Sequence, residues 1–255
     1  MQTEARRERS GSSRVALVTT LLGEHLQPAR AGAAVRVLDC GGGSGAYAVP
    51  LARTGADVTV IDISADALAT LRRRADEAGV SGSVHAVAGD VEALPDLVAG
   101  ESFDAVLAHG ILDAGSAVPA LPALHAVDET FAAMAALVRP GGVLSVLVAN
   151  PVAVVVARAL AGEPAAALAE LRRLDDPAAP PRVDPDRVVE FGRAAGLDVV
   201  ARHGVGVFSD LVPGSAGETA GGRDAVAALD AEAAGRPPFA ELAGRIHLVL
   251  RRRQA

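Results

Sequence analysis

The chain has 255 residues, of which 50% are hydrophobic and 2% aromatic. This length suits one large domain or one domain with an insertion, and the composition predicts an aliphatic core. The net charge of −7 argues against a general nucleic-acid coat protein, although a local basic patch remains compatible with it. Because no apolar run reaches the roughly 20 residues that cross a bilayer, and the amino terminus has no apolar signal core, we expect a soluble cytoplasmic protein without a membrane partner.

Short apolar runs and helical patterns alternate through the first 150 residues. The polar, aperiodic residues 1–12 predict a disordered tail, and residues 13–255 are interpreted as one domain. Helices are predicted over 14–27, 46–54, 64–78 and 126–138, and strands over 35–39, 57–62, 83–88, 103–109 and 143–149. This alternation is typical of a parallel sheet with right-handed crossovers.

The pattern changes after Asn150. Residues 151–174 are apolar and helical with an interruption near Gly162, and a stiff Pro-rich linker follows at 175–181. Asp184 and Pro185 predict the start of another helix, and further strands are predicted over 197–203 and 245–250. We interpret residues 151–184 as a helical substrate lid inserted after the fifth strand.

The most informative motif is a glycine loop over residues 37–45. A buried strand ends at Asp39, and the chain then turns through Gly41, Gly42, Gly43 and Gly45. Glycine is needed where a ligand approaches the main chain and where φ is positive. The acidic spacing D-x-G-x-G-x-G differs from the G-x-G-x-x-G of dinucleotide enzymes, because Ala46 occupies the third glycine position.

Acidic and polar residues follow the other predicted strands. Asp62 ends the second strand, where a carboxylate can accept hydrogen bonds from both ribose hydroxyls of an adenosine cofactor. Asp90 and His109 follow the third and fourth strands. Because the carboxyl ends of parallel strands meet at one edge of a sheet, these residues and the glycine loop are predicted to form one site.

The chain resembles the class I S-adenosylmethionine (SAM) methyltransferases in four places. These are the glycine loop, Asp62, the Gly89-Asp90 step and residues 137–142. The chain also resembles the tRNA 5-carboxymethoxyuridine methyltransferases, which esterify a carboxylate carried by a uridine. Beyond residue 150 that resemblance lies in residues 204–210 and 238–247, and earlier in the chain it lies in residues 11–14, 103–113 and around Asn150. It implies a Rossmann-like α/β fold: about seven strands, mostly parallel, with an antiparallel last strand. It also implies SAM as the cofactor.

The same resemblance implies which residues bind the cofactor. An arginine at the position of Arg14 would grip the SAM carboxylate. The other residues expected at the cofactor are Asp39, Gly41, Gly42, Gly43, Asp62, Ala88, Gly89, Asp90 and His109. Asp90 is expected to accept a hydrogen bond from the adenine amino group. No Cys/His spacing suggests zinc, so no metal is expected.

The chemistry leaves the acceptor open. Methyl transfer is an in-line displacement at a sulfonium, so the protein mainly positions the reactants and excludes water. A carboxylate acceptor, with a pKa of about 4, is ionised at neutral pH and needs a cation to orient it. Arg14, Arg158 and Arg245 are the candidates for that cation. A phenol or amine would want a base, for which His109 is placed. We expect His109 to pack against SAM instead, because the family resemblance places it there.

Three functions remain compatible with the sequence. The first is methylation of a modified wobble uridine in tRNA. The second is methylation of a small-molecule acid or secondary metabolite, which the acidic balance favours. The third is a non-catalytic protein that binds SAM or, less in keeping with the glycine spacing, a dinucleotide.

Overall fold

The computed structural model describes residues 2–112, 124–176, 183–217 and 219–254. Two parts of the sequence predictions lie outside the described residues. They are residues 177–181 of the predicted Pro-rich linker and Asp113 at the end of the stretch 103–113 that resembles the tRNA methyltransferases. Within the described ranges, no helix is both long enough and apolar enough to span a bilayer.

One sheet organises the described part of the chain. Its strands are β1 (Arg36–Cys40), β2 (Asp57–Asp62), β3 (Val84–Ala88), β4 (Phe103–His109), β5 (Val138–Ala149), β6 (Leu197–Val205) and β7 (Arg245–Arg252). Their order is β3-β2-β1-β4-β5-β7-β6, with parallel pairing from β3 to β5 and antiparallel pairing of β7 with both β5 and β6. The predicted sheet of seven mostly parallel strands with an antiparallel last strand is confirmed.

Helices cover both faces of this sheet. They are α1 (Gln2–Gly23), α2 (Ala48–Arg53), α3 (Ala65–Glu77), α4 (Leu94–Leu97), α5 (Leu124–Leu137), α6 (Pro151–Leu160), α7 (Pro164–Leu174), α8 (Pro185–Ala194) and α9 (Ala220–Ala233). Neighbouring strand residues point to opposite faces, so Val37 packs in one apolar cluster and Leu38 in the other. Strands buried on both faces read as continuous apolar runs, which is why β1 and β4 stand out in the sequence.

The first helix differs from the expectation. α1 begins at Gln2, inside the segment for which the composition predicted disorder, and ends at Gly23 rather than near residue 27. Glu, Gln and Arg are good helix formers, so the polar run can continue the helix without an apolar face. Val18 and Leu22 are buried and anchor the carboxyl half of α1 to the domain.

The fifth strand also begins earlier than predicted. β5 starts at Val138 and includes the Arg139-Pro-Gly-Gly142 segment that the sequence indicated as a turn. The pairing of β4 with β5 shifts register between Phe103 and Ala105, so a bulge absorbs the turn residues within the strand. Gly142 lies inside this bulge, where an added Cβ would be 2.8 Å from the carbonyl oxygen of Asp104.

The segment after β5 forms a helical hairpin, as its pattern indicated. α6 and α7 are separated at Gly162, whose φ of +77° requires glycine or strain in another residue. Asn150 caps α6 by accepting a hydrogen bond from the N–H of Val152. α6 is apolar, yet none of its residues is buried. The hairpin therefore presents apolar surface beside the carboxyl ends of the strands.

Candidate functional site

The glycine loop follows β1 and leaves little room for a side chain at Gly41 or Gly42. Gly41, Gly43 and Gly45 have positive φ values of 67°, 54° and 79°. The N–H of Gly41 donates to the carbonyl of Ile61 (2.8 Å). A Cβ added to Gly41 would lie 2.8 Å from Ile111 Cδ1, and one added to Gly42 would lie 2.4 Å from Asp39 Oδ2. The main chain is thus exposed to a ligand on one side and packed on the other.

Asp39 is a buried carboxyl beneath this loop. Its Oδ2 is buried and has no hydrogen-bond partner among the described residues. Burial, together with the nearby Asp62 carboxylate, raises the pKa of Asp39 to about 7. A cation bound at the loop would favour the ionised form of Asp39.

Asp62 connects the end of β2 to the loop. Its Oδ2 accepts a hydrogen bond from the N–H of Gly43 (2.9 Å), and its Oδ1 accepts one from the N–H of Ser64 (2.8 Å). A carboxylate oxygen has two lone pairs, so both oxygens retain acceptor capacity toward a ligand. The side chain is therefore held in a fixed orientation and can still accept hydrogen bonds from the hydroxyl groups of a ligand.

The end of β3 adjoins Asp62. Ala88 pairs with Asp62 in the sheet register, and the N–H of Gly89 donates to the carbonyl of Asp62 (3.1 Å). An added Cβ on Gly89 would lie 2.5 Å from Leu97 Cδ1. Asp90 is exposed, and its Oδ1 accepts a hydrogen bond from the N–H of Glu92 (3.0 Å). This bond fixes Asp90 at the same edge of the sheet.

His109 ends β4 within a line of polar side chains. Its Nε2 lies 2.8 Å from Ser145 Oγ, which lies 2.8 Å from Nε2 of His247. The ring of Tyr47 meets His109 edge-on with centroids 4.3 Å apart. Burial lowers the pKa of His109 to about 3, and Arg245 contributes in the same direction. His109 is therefore a neutral imidazole at physiological pH.

A pair of glycines makes room for an ion pair at this edge. Arg14 of α1 binds Asp210, which follows β6, although 196 residues separate them in sequence. An added Cβ on Gly206 would lie 3.0 Å from both Arg14 Nε and Asp210 Oδ2, and one on Gly244 would lie 2.4 Å from Asp210 Oδ2. Both strand ends therefore need glycine for the pair to fit.

Arg14 and Arg245 lie near the glycine loop. Burial raises the pKa of Tyr47, which lies two residues after the loop, to about 12. The charges of Arg245 and Arg14 act on Tyr47 in the opposite direction. Of the three arginines that the sequence offered as substrate cations, these two are grouped around Tyr47, whereas Arg158 binds Glu163 on the helical hairpin (2.6 Å).

A cleft of about 550 Å³ opens beside α6 at the same edge of the sheet. Its walls are mostly small or apolar side chains from α6, the segment after β6 and the turn before β7. Asp210 lines the cleft and also binds Arg14, so the cleft adjoins the arginines near the glycine loop.

Comparisons with known proteins agree with this geometry. Residues 37–142 match a family model described as a methyltransferase domain. The tRNA 5-carboxymethoxyuridine methyltransferase of Escherichia coli strain K12 is 29% identical over 87% of this chain and 81% of its own. Magnesium protoporphyrin IX methyltransferase from Synechocystis, solved with bound SAH, superposes with a TM-score of 0.56 at 15% identity, covering 96% of this chain and 84% of that chain. Residues 37–142 therefore form a methyltransferase domain, and the chain is a SAM-dependent methyltransferase.

Two further matches show how broadly the methyltransferase fold is shared. The ubiquinone biosynthesis O-methyltransferase of Methylocella silvestris is 38% identical, but over only 43% of this chain and 38% of its own length. The CcbJ methyltransferase from Streptomyces caelestis superposes with a TM-score of 0.60 at 19% identity over 95% of this chain and 90% of that chain. Of the two sequence relatives, the tRNA methyltransferase is similar over most of this chain, whereas the ubiquinone relative is similar over less than half of it.

The structure of the methyltransferase brings most of the expected residues to one edge. The glycine loop, Asp62, Gly89, Asp90 and His109 follow four neighbouring strands. Sequence reasoning gave no role to Tyr47 or Ser145. Tyr47 is the only tyrosine of the chain and lies two residues after the loop, and Ser145 is the one polar residue in the apolar run 143–149. Either feature could have indicated its position.

Proposed function

We propose that the methyltransferase binds SAM across the glycine loop and the ends of β2 and β3. Asp62 accepts the ribose hydroxyls, Asp90 accepts the adenine amino group, and Ala88 and Gly89 flank the adenosine. The loop glycines Gly41, Gly42 and Gly43 let the methionine part approach the main chain. The proposal is supported by the bond between Asp62 and Gly43, which orients the carboxylate while leaving it acceptor capacity.

Asp39 and Arg14 complete the proposed contacts with SAM. The buried Asp39 Oδ2 has no partner among the described residues, and it complements the positive charge of the methionine amino group. Arg14 complements the carboxylate, as the family resemblance implies. His109 packs against the cofactor as a neutral ring, since burial keeps its pKa near 3.

We further propose that the acceptor atom is a carboxylate oxygen. Bound SAM supplies a methyl group already activated by the sulfonium. A carboxylate is ionised at neutral pH, so the protein needs to supply a cation and exclude water rather than remove a proton. Because Arg14 is assigned to the SAM carboxylate, Arg245, which also acts on Tyr47 at this edge, is the cation for the acceptor. The neighbouring histidine is too weak a base to be protonated near pH 7. This combination of a cation with a histidine that is not basic carries the proposal.

Two classes of acceptor follow from specific observations. The likeness to the tRNA 5-carboxymethoxyuridine methyltransferase extends over 87% of this chain, which supports a carboxylate on a modified wobble uridine. The pairing of Arg158 with Glu163 on the hairpin supports a small-molecule acid instead, because a paired arginine attracts phosphates less.

The test begins with calorimetric titration of the purified protein with SAM and, in parallel, with NADH. We expect SAM to bind and NADH not to bind. Radiolabelled methyl transfer is then measured to total tRNA and to small carboxylic acids, and mild alkali should release the label because the product is an ester. Binding of SAM without transfer to either class would leave the non-catalytic interpretation. A product stable to alkali would contradict the carboxylate.

A further inference from the structure

We propose that the cleft beside α6 is the acceptor site and that it takes a compact, largely apolar organic acid rather than a polynucleotide. This inference rests on the proposed methyl transfer to a carboxylate and names the class of molecule that carries it. The supporting observations are the volume and walls of the cleft, the position of the cleft relative to the glycine loop, and the charges on the helical hairpin.

The cleft has the size and lining of a small-molecule site. Its volume of about 550 Å³ falls within the range of roughly 300–1,000 Å³ that is usual for ligand pockets. One wall is the face of α6 formed by Ala153, Val154, Ala157 and Ala161. Leu211 and Leu242 contribute further apolar surface. An apolar ligand body would be removed from water on several sides at once.

The position of the cleft lets the acid group of such a ligand reach the methyl donor. Ala149 ends β5 and Gly244 precedes β7, and both line the cleft at the edge of the sheet that holds the glycine loop. Asp210 lines it too, and its partner Arg14 lies near Tyr47, two residues after the loop. A ligand with its apolar body along α6 would therefore direct its carboxylate toward the arginines near Tyr47.

The helical hairpin that supplies one wall of the cleft lacks the excess positive charge that a polynucleotide needs. Residues 151–176 contain three arginines and four acidic residues. Arg158 binds Glu163 at 2.6 Å and Arg173 lies 3.5 Å from Glu170. A polyanion would meet these carboxylates as well as the arginines, and its affinity depends on the number of phosphates that arginines neutralise. A single carboxylate requires a single cation.

α6 has an apolar surface that a ligand would cover. The helix contains four valines and no buried residue, and the side chain of Val154 is 43% exposed at the cleft. An apolar ligand in the cleft would shield this face, so acceptor binding would stabilise the hairpin on the domain. The helix would then act as one wall of the site.

The decisive experiment compares a substitution that fills the cleft with the same substitution elsewhere on α6. Ala157→Trp places a large ring in the cleft, whereas Ala159→Trp makes the same substitution two residues along on an exposed position outside the cleft lining. The acceptor probes are benzoic, cinnamic and octanoic acids and total tRNA, and the readouts are methyl transfer and calorimetric SAM affinity. Val154→Glu, which adds a carboxylate to the same wall, is the second variant.

We expect at least one acid to be methylated by the parent protein. Ala157→Trp and Val154→Glu should each lower kcat/KM for that acid by about ten-fold or more, while SAM affinity stays within about two-fold and Ala159→Trp matches the parent. Transfer to tRNA alone, or acid methylation unaffected by both cleft variants, would overturn the inference while leaving the proposed carboxylate chemistry in place. Loss of SAM binding in the parent would overturn both.

Discussion

Asp62 Oδ2 accepts a hydrogen bond from the backbone N–H of Gly43 at 2.9 Å. This bond joins the carboxylate at the end of β2 to the loop after β1. Because the two strands are parallel neighbours, their carboxyl ends meet, and a single short bond fixes the loop and the ribose acceptor relative to one another.

Replacing Asp62 should therefore affect SAM affinity strongly. Asp62→Ala removes the acceptors of the Gly43 and Ser64 N–H groups as well as the proposed ribose contacts. Hydrogen bonds to charged groups contribute about 1.5–3 kcal/mol, so we expect SAM affinity to fall by about ten-fold or more. Calorimetric titration measures this, with Asp76→Ala at an exposed position of α3 as the control. Equal affinity in parent and Asp62→Ala would refute the cofactor position.

Gly42 should tolerate no side chain. In Gly42→Ala the new Cβ would lie 2.4 Å from Asp39 Oδ2 and 2.9 Å from Val60 Cγ1, both on buried side chains. Overpacking of this kind costs about 1–3 kcal/mol, and the displaced loop should also bind SAM more weakly. Urea unfolding and SAM titration test the two effects. Gly82→Ala is the control, because a Cβ there meets nothing within 4 Å. A variant as stable as the control would show that the loop is looser than its geometry indicates.

Asp39 should make stability depend on pH. Its pKa is about 7 in the folded protein, against 3.8 for an unperturbed aspartate. Below about pH 4 both states are protonated, and between about pH 4 and pH 7 the unfolded chain ionises first, so the free energy of unfolding falls as pH rises. Above about pH 7 the full cost of the buried charge is present.

The matched variant for this prediction is Asp39→Asn, which cannot ionise. We expect the variant to gain stability relative to the parent as the pH is raised from about 5 to about 8, measured by urea unfolding without cofactor. A difference in unfolding free energy that stays constant over that range would contradict the raised pKa of Asp39.

The part of the site that follows from local spacing could be predicted from the sequence. The glycine loop and Asp62 are recognised by their positions relative to apolar strands, and Asp184 caps α8 as its spacing with Pro185 indicated. The pairing of Arg14 with Asp210 could not be predicted in this way. It depends on α1 lying beside the end of β6, which is a property of the assembled sheet and not of any local pattern.

The burial of polar groups was equally hidden from sequence reasoning. His247 alternates with apolar residues on β7, which predicts a sheet histidine but not its partner. Only the strand order β4-β5-β7 brings His109, Ser145 and His247 into one row. Likewise, the helix over residues 2–12 reflects good helix formers that lack an apolar period, so a search for hydrophobic periodicity misses it.

Ser145 should be important for stability because one hydroxyl serves two buried rings. Its hydroxyl can donate one hydrogen bond and accept two, so it can serve Nε2 of both His109 and His247. In Ser145→Ala both Nε2 atoms lose this partner, and an unsatisfied buried polar group costs about 1–3 kcal/mol. Urea unfolding should show a loss of this size, against little change in the exposed control Ser102→Ala. If Ser145→Ala unfolded at the parent's urea concentration, the serine would be a space-filling residue and the two rings would be satisfied in another way.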